Sequence, residues 1–378
     1  MSFPAIDPIP LPAPIWLMKL LSHVTLALHF SAVMILVGCL LLVCWHNSVG
    51  HSKKSSEQVS ASFVIARRMP VLMTFVINLG IPPLLFVQTL YGRAIYSSSV
   101  LIGVSWFSVI LLVMLDYWLI YRIVSTIEGG RKALPLALLA LFVTMGIGQI
   151  YAMNMTLMLR PEVWQAMYQH SPSGLQGYHG DPTTTPRWMF VMCGGLVFGG
   201  LWALMLSNMG HIGDGIKKYL RTSGGCMAAV GALLQIGCAL AVTHSQPGFV
   251  TEALGANMLA KVGGLLFVAT IAVTALVAGL QGLKAISNIP LAVTGLLTAF
   301  LATTGAVLYR DGIRDATLLH KGYNVWNQPE YANWSVVGLF LLLFVIMLVI
   351  LFWLLMVMKK ATAPNETITL NKTVEAGR

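Results

Sequence analysis

Residues 14–45 read PIWLMKLLSHVTLALHFSAVMILVGCLLLVCW, and within that run Lys19 is the one residue that carries a permanent charge. A helix needs about 20 apolar residues to cross the roughly 30 Å of bilayer hydrocarbon. No water is present at that depth, so a spanning backbone must satisfy its own hydrogen bonds. The run therefore predicts a transmembrane helix near the start of the chain. It is too long for the apolar core of a signal peptide, and residues 1–14 show neither a basic leader nor a small-residue cleavage site.

The same reading extends along the chain. Further apolar runs cover residues 69–92, 99–124, 133–157, 187–210, 223–244, 256–282, 288–309 and 334–358. The whole sequence is 57% hydrophobic and 10% charged, with a mean hydropathy of +0.79. A soluble domain carries about 25% charged residues, so a water-soluble surface is excluded. The expectation is an all-α integral membrane protein, a bundle of about nine transmembrane helices over residues 1–358, followed by a polar cytoplasmic tail at 359–378 that is disordered over 361–378.

The net charge of +10 is spread over short loops between apolar runs, which sets topology and is not a nucleic-acid footprint. Lys53, Lys54, Arg67, Arg68, Arg122, Arg131, Lys132, Lys217, Lys218, Arg221, Lys284, Lys359, Lys360, Lys372 and Arg378 fall on one side, fifteen against eight on the other. By the positive-inside rule the first side faces the cytoplasm, with the N-terminus outside and the C-terminus inside. Two longer outer loops, 158–186 and 310–333, are rich in Trp, Tyr, Pro and His, and offer the surface on which a partner would dock. The five cysteines form neither CxxC nor CxxCH, so neither a zinc motif nor a covalent haem attachment is present.

Polar groups at membrane depth are costly and mark function by default. His23 and His29 stand on the first helix, six residues apart, about 240° around the axis, so they do not share a face. A haem b takes one His from each of two helices, or His and Met. His29 is one candidate ligand. His23 and His244, both near outer helix ends, are a candidate pair, and His46 and His211 a second pair near the inner ends. The bland reading is that each simply hydrogen-bonds a neighbouring helix. Asp116 sits deep in LLVMLDYWLIYR. It either needs a cation or water, or stays protonated because burial disfavours the charged form; it serves a proton path or quinone, or a structural hydrogen bond. Gln88 and Arg93 end the second run, in which Pro82 and Pro83 should kink the helix. Lys261 either snorkels outward or pairs with an acid. In LYRDGIRDATL, Arg310 and Arg314, and Asp311 and Asp315, are spaced four apart. That spacing suits either a solvated helix end or a contact surface for quinone or a redox partner.

Two stretches resemble cytochrome bd oxidase subunit I. One is HVTLALHFSAVMILVGCLLLV, with His29-Phe30 at the position of a haem ligand. The other is MTFVINLGIPPLLFVQTLYGRAIYSSSVLIG, with its Asn-x-Gly start and Tyr-Gly end. Together they cover roughly the first third of the chain; the remainder resembles that family by its nine-helix topology. The departures are specific. Of the family's two helix-3 carboxylates, Ser108 and Asp116 stand at the matching positions. The helix-5 His falls near Met189 or Met192, and the helix-7 Met near Lys261 or Met258. The long quinol loop is reduced to residues 245–255, and Tyr309–Asp315 replaces the GRQPW-type segment.

The resemblance thus implies a divergent bd-like protein of the kind associated with multihaem c-type cytochromes. Its expected role is a subunit of a respiratory electron-transfer complex in the bacterial inner membrane, a quinol:cytochrome c oxidoreductase that does not reduce oxygen. Electrons would pass between quinone or quinol and a periplasmic multihaem cytochrome c. His29, His23 and His244 are the candidate haem b and iron ligands, and Asp116, Gln88 and Arg93 are the candidate quinone or proton groups. The rival expectation is a haem-free membrane anchor or assembly scaffold that kept the fold and lost its ligands.

Overall fold

A computed structural model describes residues 3–4, 9–361 and 366–370, with side chains except at 359–361. Residues 362–365 and 371–378 of the expected tail lie outside the described residues. The helices are α1 (Ile15–Ser52), α2 (Ser56–Ala66), α3 (Met69–Leu90), α4 (Gly92–Leu101), α5 (Gly103–Glu128), α6 (Leu134–Leu157) and α7 (Pro161–His170). They continue with α8 (Thr184–Leu206), α9 (Asp214–His244), α10 (Gly248–Ala256), α11 (Met258–Lys284), α12 (Ile289–His320) and α13 (Trp334–Ala361). Among the described residues nine helical spans are long and apolar enough to cross a membrane; α2 and α3 together form one of them.

Local chemistry sets the boundaries. Ser55, Asn257 and Asn288 cap α2, α11 and α12 by accepting from the backbone N–H of Gln58, Ala260 and Leu291. Pro135 and Pro290 stand in the first turns of α6 and α12, where a missing N–H costs nothing. Helix α3 is continuous through Pro82 and Pro83.

The spans form two groups of four. In one, α1 packs on α3 and α6, and α5 on α3 and α6; in the other, α8 packs on α9 and α12, and α11 on α9 and α12. The groups meet where α1 packs on α8 and α12. Helix α13 lies at the periphery against α3, with the Phe340 and Phe86 rings 5.3 Å apart. Lipid tails are as apolar as side chains, so helices associate here by close packing. A side chain at Gly38 would collide with the Gly195 carbonyl and the Gly199 backbone, and one at Gly199 with Gly38, so α1 and α8 touch backbone to backbone. Gly225 and Gly282 do the same for α9 and α11.

The strand-like pairing of Leu11 with Glu330 ties the N-terminal segment to the loop after α12. The segment 366–370 lies at the opposite end of the bundle. There Glu366 accepts from Arg68 Nη2 at 2.8 Å, and the Ile368 N–H donates to Ser60 Oγ at 2.8 Å. These five residues are therefore docked and not the disordered tail expected, because Arg68 is fully enclosed and needs a carboxylate beside it. The bundle end carrying α7, α10 and residues 321–333 is called the loop-rich end below.

Candidate functional site

The structure corrects the reading of 310–315. Helix α12 continues to His320, and Asp311 and Arg314 are buried, so this is not a solvated helix end. The reason is Lys19, the single permanent charge in the first apolar run. Its Nζ donates to Asp311 Oδ2 at 2.8 Å, to both Asp315 oxygens at 2.7 Å and to Tyr91 Oη at 2.6 Å. Tyr91 in turn donates to Asp311 Oδ1 at 3.1 Å and Asp315 Oδ1 at 3.0 Å, and Trp326 Nε1 donates to Asp315 Oδ2 at 3.1 Å. The Arg314 guanidinium stacks 4.5 Å from the Tyr91 ring centroid. Burial, reinforced by Asp311, pushes the Tyr91 phenol well above its ordinary range, so it stays a donor. Sequence reasoning missed Lys19 and Tyr91 as site residues. The available signal was a lysine inside a membrane run, which demands a partner.

His23 belongs to this cluster: its Nε2 lies 3.1 Å from Asp311 Oδ2. His244 is exposed at the end of α9, and α8 packs against both α1 and α9, so the two histidines of the candidate pair have different surroundings. In the inner pair each histidine has its own protein partner. His46 Nε2 lies 2.9 Å from Ser223 Oγ, and His211 Nε2 lies 3.3 Å from Glu366 Oε2.

His29 differs from these. Its Nδ1 donates to the Val76 carbonyl at 3.2 Å, and its ring rests against Gly80, where a Cβ would come within 2.8 Å of Cε1. Its Nε2 has no hydrogen-bond partner among the described residues. A backbone carbonyl that fixes Nδ1–H and leaves Nε2 as the lone pair is the arrangement a metal-binding histidine needs. His29 could thus serve as an iron ligand for a haem, which would supply one-electron chemistry there. Among the positions where family ligands would fall, Met189, Met258 and Lys261 face outward, and Met192 is buried. Among the described residues no cluster of three or more His, Cys, Asp or Glu side chains is arranged for a metal ion.

Asp116 lies at mid-depth between α5 and α6. Thr144 Oγ1 donates to its Oδ2 at 2.7 Å, while Oδ1 is enclosed without a partner. Gln88 and Arg93 are at the loop-rich end, separate from Asp116. Gln88 is half-buried, and the Arg93 guanidinium lies 4.9 Å from the Tyr323 ring centroid and donates to the Pro4 carbonyl. Lys261 is exposed.

No family model matches the sequence, and no curated protein shows significant similarity to it. Among solved structures, the fold is similar to the bd oxidase from Geobacillus thermodenitrificans, with a TM-score of 0.70 at 13% identity, over 94% of this chain and 100% of that chain. The chain is an all-α, multi-pass membrane protein with a bd oxidase-like fold.

Proposed function

We propose that this protein is the membrane subunit of a respiratory electron-transfer complex. It passes electrons between quinone or quinol and a periplasmic multihaem cytochrome c, without reducing oxygen, in the bacterial inner membrane. The reading rests on one observation above all: in a bd oxidase-like bundle, His29 is held through Nδ1 with Nε2 free to bind iron. A haem b bound there supplies one-electron transfer. Oxidising one quinol releases two electrons and two protons, so proton acceptors must accompany the electron route. Asp116 can hold a proton on Oδ1 while Thr144 keeps Oδ2 in place. Gln88 and Arg93, at the loop-rich end, are the proposed polar contacts for a quinone head. Trp326, Tyr331 and Trp334, exposed on the same end, suit docking of a cytochrome, since aromatic residues are enriched in interface cores. His23 and His244 would form a second haem pair only if His23 left Asp311.

The haem-free scaffold is the second reading. It is favoured by His23, His46 and His211 each lying against a protein partner. Reduced-minus-oxidised spectra and a pyridine haemochrome assay on the purified protein decide between them. The electron carrier gives a b-type band that His29→Ala abolishes and His244→Ala does not. Purified protein that brings down a cytochrome c but shows no b-type band would establish the scaffold instead.

A further inference from the structure

Beside the Lys19 cluster lies a second group of charges that the proposed electron route does not use. Arg187, in the first turn of α8, Arg310 and Arg314 on α12 are within electrostatic range of one another. Arg314 is 5% exposed, its guanidinium leans on a tyrosine ring, and its Nη1 has no hydrogen-bond partner. Arg310 Nη1 is likewise enclosed without a partner. Neither Arg187 nor Arg310 has an ion pair or side-chain hydrogen bond among the described residues.

The nearby acids are already committed. Asp181 accepts from Arg160 Nε at 2.7 Å and from Thr183, and Asp311 and Asp315 share Lys19. Lys19, Arg160, Arg187, Arg310 and Arg314 therefore stand against three carboxylates, an excess of two positive charges. Arginine cannot relieve this by losing its proton, and a charge taken out of water without a partner is destabilising. Arg187 also sits at the positive end of the α8 dipole, which repels a cation and attracts an anion. Planar guanidinium forks match tetrahedral oxyanions in a bidentate manner.

From the two enclosed, partnerless Nη1 atoms and the charge excess around them we infer that Arg187, Arg310 and Arg314 form a binding site for a phosphate-type oxyanion at the loop-rich end of the bundle. The phosphate belongs either to a phospholipid headgroup, since the site lies at a membrane-span end, or to a free phosphate ion. This inference does not depend on the electron-transfer reading.

The test uses the full chain purified in detergent. Retained phosphorus is measured by total-phosphate assay and native mass spectrometry. The sample is then stripped of lipid, and its apparent Tm is compared in inorganic phosphate and in chloride at equal ionic strength. A headgroup predicts about one phospholipid retained per chain, lost in R187Q/R310Q, and a Tm recovered by phosphate after stripping. A free ion predicts no retained lipid but the same phosphate-specific Tm rise, about 2 °C or more, absent in R187Q/R310Q. Should that variant not fold, the phosphate-against-chloride comparison on the wild type still decides. Equal Tm in the two salts without retained phosphorus would overturn the inference. So would a variant that loses porphyrin instead of phosphate, because carboxylates of the porphyrin would then be the counter-ions.

Discussion

Lys19 and Asp311 lie 292 residues apart in the chain and 2.8 Å apart in space, at a site closed to solvent. The first transmembrane helix is thereby locked to the eighth span through a buried charge. Because Lys19 serves Asp311 and Asp315 together, its loss leaves two carboxylates facing each other. Lys19→Met should destabilise the protein by about 3–5 kcal/mol. Lys19→Met/Asp311→Asn should recover part of that, since one of the stranded charges is gone. Thermal scans of the single and double variants measure the coupling; strictly additive effects would show that the pair does not act as a unit.

Asp116 has one oxygen anchored by Thr144 and one enclosed without a partner, the basis of its proposed role as a proton acceptor. Asp116→Asn keeps the shape and a group for Thr144 to contact, but cannot take up a proton at that atom. On the proposed electron-transfer function, quinol-dependent cytochrome c reduction should fall by about 10²-fold, with the folded yield unchanged. Wild-type turnover in this variant would make Asp116 a structural group only.

The contact of α1 with α8 depends on Gly38 and Gly199, whose backbones leave no room for a Cβ. Gly199→Ala should cost about 1–3 kcal/mol, because backbone against backbone cannot repack as side chains do. Gly237, in the middle of α9 with no atom near its would-be Cβ, is the control. Gly237→Ala should be neutral or stabilising by up to about 1 kcal/mol. Unfolding of the two variants in parallel tests whether close approach, and not glycine itself, is what α8 requires.

Asp181 lies outside the spanning helices. Burial alone would raise its carboxyl, but hydrogen bonds from Thr183 and the charge of Arg160 outweigh that and hold it below the usual carboxylate range. A carboxyl depressed in the folded state stabilises above its unfolded value, about 3.9, and loses that contribution as pH falls through the folded value. Limited proteolysis of the loop between α6 and α8 should therefore change little above about pH 5 and rise steeply below about pH 4. In Asp181→Asn this acid sensitivity should disappear, with the loop already more open at neutral pH.

The membrane class and the helical spans were legible in the sequence because hydropathy is a local property measured against a fixed bilayer thickness. Each apolar run reports its own fate without reference to any other, and the runs read from composition overlap the nine spans observed among the described residues. Isolated polar residues were legible for the same reason: His29 and Asp116 stand out against their own neighbours. The bd-like resemblance of the first third agrees with a fold similarity that covers 94% of the chain.

Partnership was not legible. In the sequence Lys19 was a single charge in an apolar run, and the spacing of Arg310 to Asp315 suited either a solvated helix end or a contact surface. Tertiary structure turned both into one buried cluster and set His23 against Asp311. It also gave His46 and His211 separate protein partners, Ser223 and Glu366, and left Arg187 and Arg310 without an ion pair among the described residues. The physical reason is range. Whether a residue enters lipid depends on its neighbours along the chain, whereas the cost of its charge depends on what meets it across helices hundreds of residues away.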